Sequence, residues 1–198
     1  IGQSAGGVLS ITGEPDGKPC KPGVTLADTG TGMLMSVTIL GALYRQQATG
    51  QGEHLQLAMQ DAMTQYTRLA YAYRDLNGKA APRAGAKLFT TGNAPTGIFP
   101  CKPGGKNDYV YIYTTRAGNH HWERLCKLLD REDLIDDPRF SGPKERAKHE
   151  AVIDDILAEF TKKHTKREAM KLIGECGVPC GAVLDAVSYT HLRAHETV

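Results

Sequence analysis

Apolar residues between positions 25 and 44 cover most of a helical surface, which predicts a buried helix in this segment. The glycine-containing stretch 49–52 then supplies the chemistry of a helix C-terminus. Small residues near the start of the helix, Thr31 and Gly32, predict tight packing there and leave close approach of a ligand as the alternative. Residues 53–59 largely alternate polar and apolar side chains, which indicates a half-buried strand.

A second helix is predicted to follow this strand. Asp61 is its expected N-cap, and Met63, Tyr66 and Tyr73 recur at the spacing of one helical face. We interpret the tyrosines as core residues rather than as a stacking surface. From residue 77 to residue 97 the chain is rich in Gly, Ala, Pro and Thr and has no apolar period, which is typical of a linker or a functional loop.

The second half of the chain predicts a small sheet with helices packed against it. Residues 97–101 and 109–115 are expected to be two strands joined by a turn, because the run from Tyr109 to Tyr113 is entirely β-branched or aromatic. The remaining pattern predicts three helices and a final turn and strand, at residues 119–130, 144–162, 165–175 and 177–183. Helices segregated against a small sheet indicate an α+β domain.

Composition and charge exclude several classes of partner. The chain has 198 residues, of which 24 are basic and 22 acidic, and these charges are interspersed. A net charge of +2 creates no field that would attract nucleic acid or an anionic membrane, so neither partner is expected. No run of apolar residues reaches the length needed to span a bilayer, so no membrane-spanning segment is expected. The five scattered cysteines are typical of reduced, inert thiols in a cytoplasmic protein.

We expect the chain to be truncated at both ends and to carry a non-native tail. The sequence does not begin with Met and opens inside what looks like a folded segment, which predicts a fragment. Residues 188–198 offer no core face and resemble translated adapter sequence, so we interpret them as a non-native tail. His191 and His195 within that tail have the i, i+4 spacing of a helical metal site, but a third ligand is not evident and no metal is expected.

Six motifs together resemble one enzyme family. Their order and spacing are similar to the class III CoA-transferases (the CaiB/BaiF family), which include formyl-CoA:oxalate and carnitine CoA-transferases and related acyl-CoA racemases. The likeness continues to about residue 187 and is strongest to the formyl-CoA:oxalate type. The motifs are Gln3-x-x-x-Gly7, Thr12-Gly13-Glu14-Pro15-Asp16-Gly17, Asp28-x-x-x-Gly32, Ala42-Leu43-Tyr44-Arg45, Thr49-Gly50-Gln51-Gly52 and Met59-Gln60-Asp61-Ala62.

The resemblance implies an α/β fold and an assembly. Residues 1–75 would be part of a large Rossmann-like domain and its exit, 76–97 a linker and active-site loop, and 98–187 a smaller α+β domain. The family implies an interlocked homodimer whose substrates are an acyl-CoA and a carboxylic acid, without a further cofactor. If the predicted helix at 25–44 lacks its partners in this chain, we expect the isolated chain to be poorly soluble.

The resemblance also implies where the chemistry occurs. Family members use an Asp nucleophile, and the resemblance implies that it lies just upstream of Ile1, so this chain would contain no catalytic residue. Asp16 and Asp28 are interpreted as turn and helix-capping residues. A substrate loop of Gly92, Asn93 and Ala94 is expected to close over the nucleophile, although an ordinary turn is the alternative for this pair of glycine and asparagine.

Two other functions remain open at this point. An acyl-CoA racemase or epimerase would share the fold but would move an α-proton by acid-base chemistry. A non-catalytic binding module would require residues 98–187 to fold and bind alone. The acids that exchange CoA cannot be read from the sequence.

Overall fold

The computed structural model describes residues 1–90, 93–115 and 118–189. The chain divides into two compact units, which we call the N-terminal unit (residues 1–85) and the C-terminal unit (residues 86–198). The stretch predicted as linker and active-site loop is therefore shared between the two units. Gly92 of that loop, the pair 116–117 and residues 190–198, which include His191 and His195, lie outside the described residues.

The N-terminal unit is built from helices and loops. A 3-10 turn at Leu9–Ile11 follows the first helix, and the small core is formed by Val8, Ala27, Ala62 and Met63. No strand is present among its described residues, so this unit does not itself display the sheet of a Rossmann-like domain. The helices are α1 (Gly2–Ala5), α2 (Leu26–Thr49), α3 (Met59–Tyr66) and α4 (Arg68–Asn77).

Helix α2 has the predicted position but not the predicted burial. Its buried residues lie in the first two turns, whereas the apolar side chains further along are exposed, with 68% of Val37 and 66% of Leu40 accessible to solvent. Apolar spacing identifies a surface that favours burial, but it does not supply the partner that covers it. Gly50 ends the helix in the left-handed conformation, as predicted.

Helix α2 also changes the expectation about membranes. By length and composition it is apolar enough to cross a bilayer, contrary to the prediction that no segment would be. A core helix of a soluble protein passes the same test, so this finding is weak evidence for a membrane-spanning role.

Two further predictions for this unit are wrong. Residues 51–58 form no strand, because among the described residues no segment pairs with them and a strand needs a neighbour for its hydrogen bonds. The next helix begins at Met59 with Ala58 as N-cap, so Asp61 lies in its first turn and does not cap it. Thr67 then divides α3 from α4, and its buried hydroxyl donates to the carbonyl oxygen of Gly6 at 3.1 Å.

The C-terminal unit confirms the predicted small sheet with helices against it. Strands β1 (Thr96–Pro100), β2 (Tyr109–Tyr113) and β3 (Cys180–Ala182) form an antiparallel sheet in the order β1-β2-β3. The register pairs Phe99 with Val110. The helices are α5 (His120–Leu128), α6 (Pro143–Lys148), α7 (Glu150–Thr161) and α8 (Lys166–Glu175), with 3-10 turns at Glu132–Leu134 and Pro138–Phe140.

One continuous core holds this unit together. Val110 and Ile112 alternate inward along β2 and are fully buried, which is the period-two pattern of a sheet with one packed face. Trp122 and Phe140 lie among them with ring centres 5.5 Å apart. The helix predicted at 144–162 is two helices, because the backbone at His149 leaves the helical conformation.

Candidate functional site

The described part of the predicted substrate loop is buried. Asn93 is 6% exposed and Ala94 3% exposed, so neither side chain faces open solvent in this chain. The amide nitrogen of Asn93 donates to the carbonyl oxygen of Thr114 at 3.2 Å. In return, the Thr114 hydroxyl lies 3.0 Å from the carbonyl oxygen of Asn93 and 2.7 Å from that of Pro95. Thr114 directly follows β2, so the sheet fixes this anchor.

A buried arginine holds the intervening carbonyl group. Nε of Arg146, in helix α6, donates to the carbonyl oxygen of Ala94 at 2.9 Å. Nη1 donates to the carbonyl oxygen of Phe140 at 3.0 Å and to Oδ1 of Asn119 at 2.9 Å. The guanidinium lies over the ring of Trp122, and the residue is 2% exposed. Burial lowers the pKa of Arg146, but an arginine remains charged at neutral pH.

A small polar cavity of about 50 Å³ adjoins Asn93. Lys87 lines it and forms ion pairs with Glu150 at 3.1 Å and Asp154 at 2.5 Å, both in helix α7. Burial opposes the charge of Lys87, but its hydrogen bonds to the two carboxylates outweigh burial and raise its pKa. Oδ1 of Asn93 is buried and has no hydrogen-bond partner among the described residues, which is unusual for a buried amide.

Asp28 does not have the capping role predicted for it. The N-cap of α2 is Thr25, and Asp28 is an exposed residue in the first turn. In the part of the chain that the structure describes, its carboxylate makes no hydrogen bond or ion pair. Asp28 is therefore an accessible carboxyl group at the N-terminus of a long helix, a position that favours negative charge. Asp16, in contrast, lies in a turn as predicted.

Two other residues near the start of α2 have hydrogen-bonding atoms without a partner among the described residues. Gln3 is 7% exposed and donates to the carbonyl oxygen of Val24 at 3.3 Å, while its Oε1 has no partner among the described residues. The hydroxyl of Thr31, 8% exposed, also lacks a partner there. Such groups are uncommon in folded proteins and favour sites where another molecule or segment binds.

The N-terminal unit contains a larger cavity of about 540 Å³. Its walls are mainly apolar and include Ile11, Tyr71 and Pro82, with Arg74 and Arg83 also lining it. Arg83 contacts the turn of the Thr12–Gly17 motif, because its Nη2 donates to the carbonyl oxygen of Gly17 at 2.6 Å. The cavity thus has the size of a ligand site, but the hydroxyl of Thr67, a buried polar residue in its wall, already donates to the carbonyl oxygen of Gly6.

The cysteines are poorly suited to nucleophilic chemistry. All five are free, and burial raises the pKa of Cys126 and of Cys180 to about 12. These two thiols therefore stay protonated at neutral pH. Within the described residues, no group of three or more His, Cys, Asp or Glu side chains could hold a metal ion.

Sequence reasoning missed the two residues that hold the loop. Thr114 follows a conspicuous strand, but nothing in the sequence relates it to Asn93. Arg146 lies in a helical segment rich in charged residues, where one arginine pointing inward has no distinguishing signal. Asp28 was considered and assigned a capping role because Asp is common near helix starts.

Comparisons with known proteins agree on one family. The sequence profile described as CoA-transferase family III matches residues 1–198. The formyl-CoA:oxalate CoA-transferase of Streptomyces avermitilis is 32% identical over 214 residues, which cover 100% of this chain and 51% of the relative. That of Rhodopseudomonas palustris strain BisA53 is 33% identical over 219 residues, with 100% and 51% covered. The chain thus spans about half the length of these relatives.

Solved structures show the same similarity. A CAIB/BAIF family protein from Brucella suis superimposes with a TM-score of 0.77 at 27% identity, covering 96% of this chain and 48% of that protein. The protein Rv3272 from Mycobacterium tuberculosis has a TM-score of 0.76 at 21% identity, covering 98% of this chain and 49% of that protein. At that identity the second likeness concerns the fold alone.

Proposed function

Because the chain belongs to CoA-transferase family III, we propose that it is part of an enzyme that transfers CoA between an acyl-CoA and a carboxylic acid. The observation that carries this proposal is the match of the family profile along the whole chain, together with 31–33% identity to formyl-CoA:oxalate CoA-transferases. The names of those relatives make formyl-CoA and oxalate the first donor and acceptor to test. Because the chain spans about half the length of these relatives, the proposed activity is that of a full-length enzyme.

The proposed reaction proceeds through an enzyme carboxylate. An aspartate attacks the thioester carbonyl of the donor, the CoA thiolate leaves, and an acyl-aspartyl anhydride forms. The thiolate then attacks the aspartyl carbonyl of the anhydride, which releases the donor acid and leaves CoA as an enzyme thioester. The acceptor carboxylate repeats the exchange in reverse order and departs as its CoA thioester. Each step replaces one acyl bond by another, so no redox partner or further cofactor is required.

Two positions compete for the nucleophile. The sequence-based expectation places it just upstream of Ile1. We propose Asp28 as the alternative within this chain. Its carboxylate is exposed and lies in the first turn of a long helix, and it does not cap that helix, because the N-cap is Thr25. Near the same helix start, the buried oxygens of Gln3 and Thr31, which have no hydrogen-bond partner in the described part of the chain, add support.

We further propose that the longer protein is an interlocked homodimer in the cytoplasm. The exposed apolar side chains of α2 support an assembly in which other parts of the protein cover this helix. The proposal keeps an active-site loop at residues 92–94. It also keeps residues 76–97 as the linker between a large and a small domain.

The experiment that tests the function uses the full-length enzyme. CoA transfer is measured from formyl-CoA and other acyl-CoAs to a panel of carboxylates, and the variant Asp28→Asn is compared with a variant of each aspartate just upstream of Ile1. Loss of transfer by several orders of magnitude in one variant identifies the nucleophile. Inversion at the α-carbon of an acyl-CoA without any transfer would show a racemase instead and would overturn the proposal.

A further inference from the structure

Two side chains of the C-terminal unit, Thr114 and Arg146, lie within hydrogen-bonding distance of three consecutive backbone carbonyl oxygens, those of residues 93–95. Arg146 donates to Ala94, while the single hydroxyl of Thr114 lies within hydrogen-bonding distance of Asn93 and Pro95. A hydroxyl has one proton, so Thr114 donates to one of the two carbonyls at a time. The amide of Asn93 donates back to Thr114, and the Thr114 amide donates to the hydroxyl oxygen of Thr96 at 3.2 Å.

Burying the charged side chain of Arg146 costs hydration free energy, and it places a hydrogen-bond donor beside the Ala94 carbonyl oxygen. Arg146 is 2% exposed and forms no ion pair among the described residues, so backbone carbonyls and one amide oxygen compensate for the lost hydration. A buried leucine or methionine would fill this volume without that cost. The arginine contributes something an apolar residue cannot, namely a fixed donor for the Ala94 carbonyl oxygen, 52 residues earlier in the chain.

We propose that Thr114 and Arg146 are positioning residues that set the geometry of Asn93 and Ala94 for CoA transfer. The inference rests on the proposed function, and it adds that this loop shields the reactive acyl-enzyme from water. Neither residue touches the reacting atoms. They act by fixing the backbone at 93–95, because an active-site loop displaced by about 1 Å can lose about 100-fold in rate. A loosened loop admits water, which attacks the acyl-enzyme and diverts it from transfer to hydrolysis.

The test measures the ratio of transfer to hydrolysis in the full-length enzyme. Thr114→Val removes the hydroxyl at nearly constant volume, and Thr114→Ser retains it. Arg146→Lys keeps the charge but cannot donate to Ala94, Phe140 and Asn119 from one planar group. The control is Ile173→Val, in helix α8, because this substitution lowers stability by removing a methyl group from a fully buried position in the core of the same unit. Urea unfolding establishes that each variant is folded.

We expect Thr114→Val and Arg146→Lys to lower the transfer-to-hydrolysis ratio about tenfold, Thr114→Ser to restore it, and Ile173→Val to leave it unchanged. If Arg146→Lys does not fold, the Thr114 pair decides the question. A ratio that stays constant in folded Thr114→Val, or falls equally in Ile173→Val, would overturn the positioning role. Absence of any transfer by the unmodified enzyme would instead overturn the proposed function.

Discussion

The hydroxyl of Tyr66 donates to the carbonyl oxygen of Gly30 at 3.3 Å, which joins the end of helix α3 to the early part of α2. The contact is close, because a methyl group added at Gly30 would lie 2.8 Å from the Tyr66 oxygen. The sequence predicts tight packing at Thr31 and Gly32. Thr31 is indeed buried, with 8% of its surface exposed, but a methyl group added at Gly32 would meet nothing within 4 Å. Helical phase explains the difference, since residues two apart face different directions.

These two glycines should respond oppositely to alanine. Gly30→Ala forces the tyrosine ring away and loses its hydrogen bond, so we expect a loss of about 1 kcal/mol in the free energy of unfolding. Gly32→Ala should gain about 0.5–1 kcal/mol, because alanine has the higher helix propensity. Urea unfolding of both variants, in the solubilised background described next, provides the measurement. Equal effects would show that the Tyr66 contact is not maintained in solution.

The exposed apolar surface of α2 should limit the solubility of the isolated chain. Val37 and Leu40 are two of its most exposed members, and contiguous apolar surface promotes self-association. Replacing both, as Val37→Lys with Leu40→Glu, should raise the yield of monomer several-fold in size-exclusion chromatography. The matched control is Ser36→Lys with Thr38→Glu, which adds the same charges at exposed polar positions of the helix and should change little.

Two measurements on unmodified protein test whether α2 packs against other protein surfaces or lies in a membrane. A monodisperse, cooperatively melting preparation would contradict the self-association prediction. Co-sedimentation of the full-length protein with neutral lipid vesicles would favour the membrane role that its length and composition permit.

The C-terminal unit should fold alone. Its core is continuous and includes Trp122, Phe140 and Ile153, each at most 2% exposed, whereas the N-terminal unit buries four apolar residues in its main cluster. We expect residues 86–189 to unfold cooperatively in urea. Phe140→Ala should lower the free energy of unfolding by about 3–5 kcal/mol, because it removes a fully buried ring. A broad transition that is insensitive to this substitution would contradict an autonomous core.

The capping box of helix α8 should make stability depend on acidity. The Thr165 hydroxyl accepts from the Glu168 amide at 3.3 Å, and the Glu168 carboxylate accepts from the Thr165 amide at 2.8 Å. The hydrogen bond from the Thr165 backbone lowers the pKa of Glu168 below its ordinary value of 4.5. Its contribution is therefore present above pH 4.5 and is lost as the pH falls through the lower, folded-state pKa.

Two variants separate the parts of this box. Thr165→Ala should cost about 1 kcal/mol at neutral pH, as expected for the loss of an N-cap. Glu168→Gln should flatten the decline in stability as the pH falls below 4.5, compared with the unmodified protein. Chemical denaturation of residues 86–189 at several pH values gives both quantities, and an unchanged acid limb in Glu168→Gln would exclude this carboxylate as its source.

Sequence reasoning succeeded where neighbouring residues decide the structure. The strand Tyr109–Tyr113 and the helix Lys166–Glu175 follow from local composition, and Gly50 ends α2 because glycine adopts the left-handed conformation easily. It failed for residues 53–59, where the alternating pattern is present but a pairing strand is absent among the described residues. A strand depends on a second segment, and its own sequence does not specify that segment.

The sequence by itself determined the family, because the order and spacing of short motifs can be recognised without knowing which residues are in contact. The family profile confirms that assignment. It also determined the hairpin and helices of the C-terminal unit through local periodicity. The tertiary structure alone decided that Arg146 reaches Ala94, that Thr114 lies beside Asn93, and that the apolar side of α2 remains exposed. The two contacts join residues that are far apart in the chain, and the exposure of α2 depends on whether another segment covers it. A local pattern of side chains specifies neither a distant contact nor a covering segment.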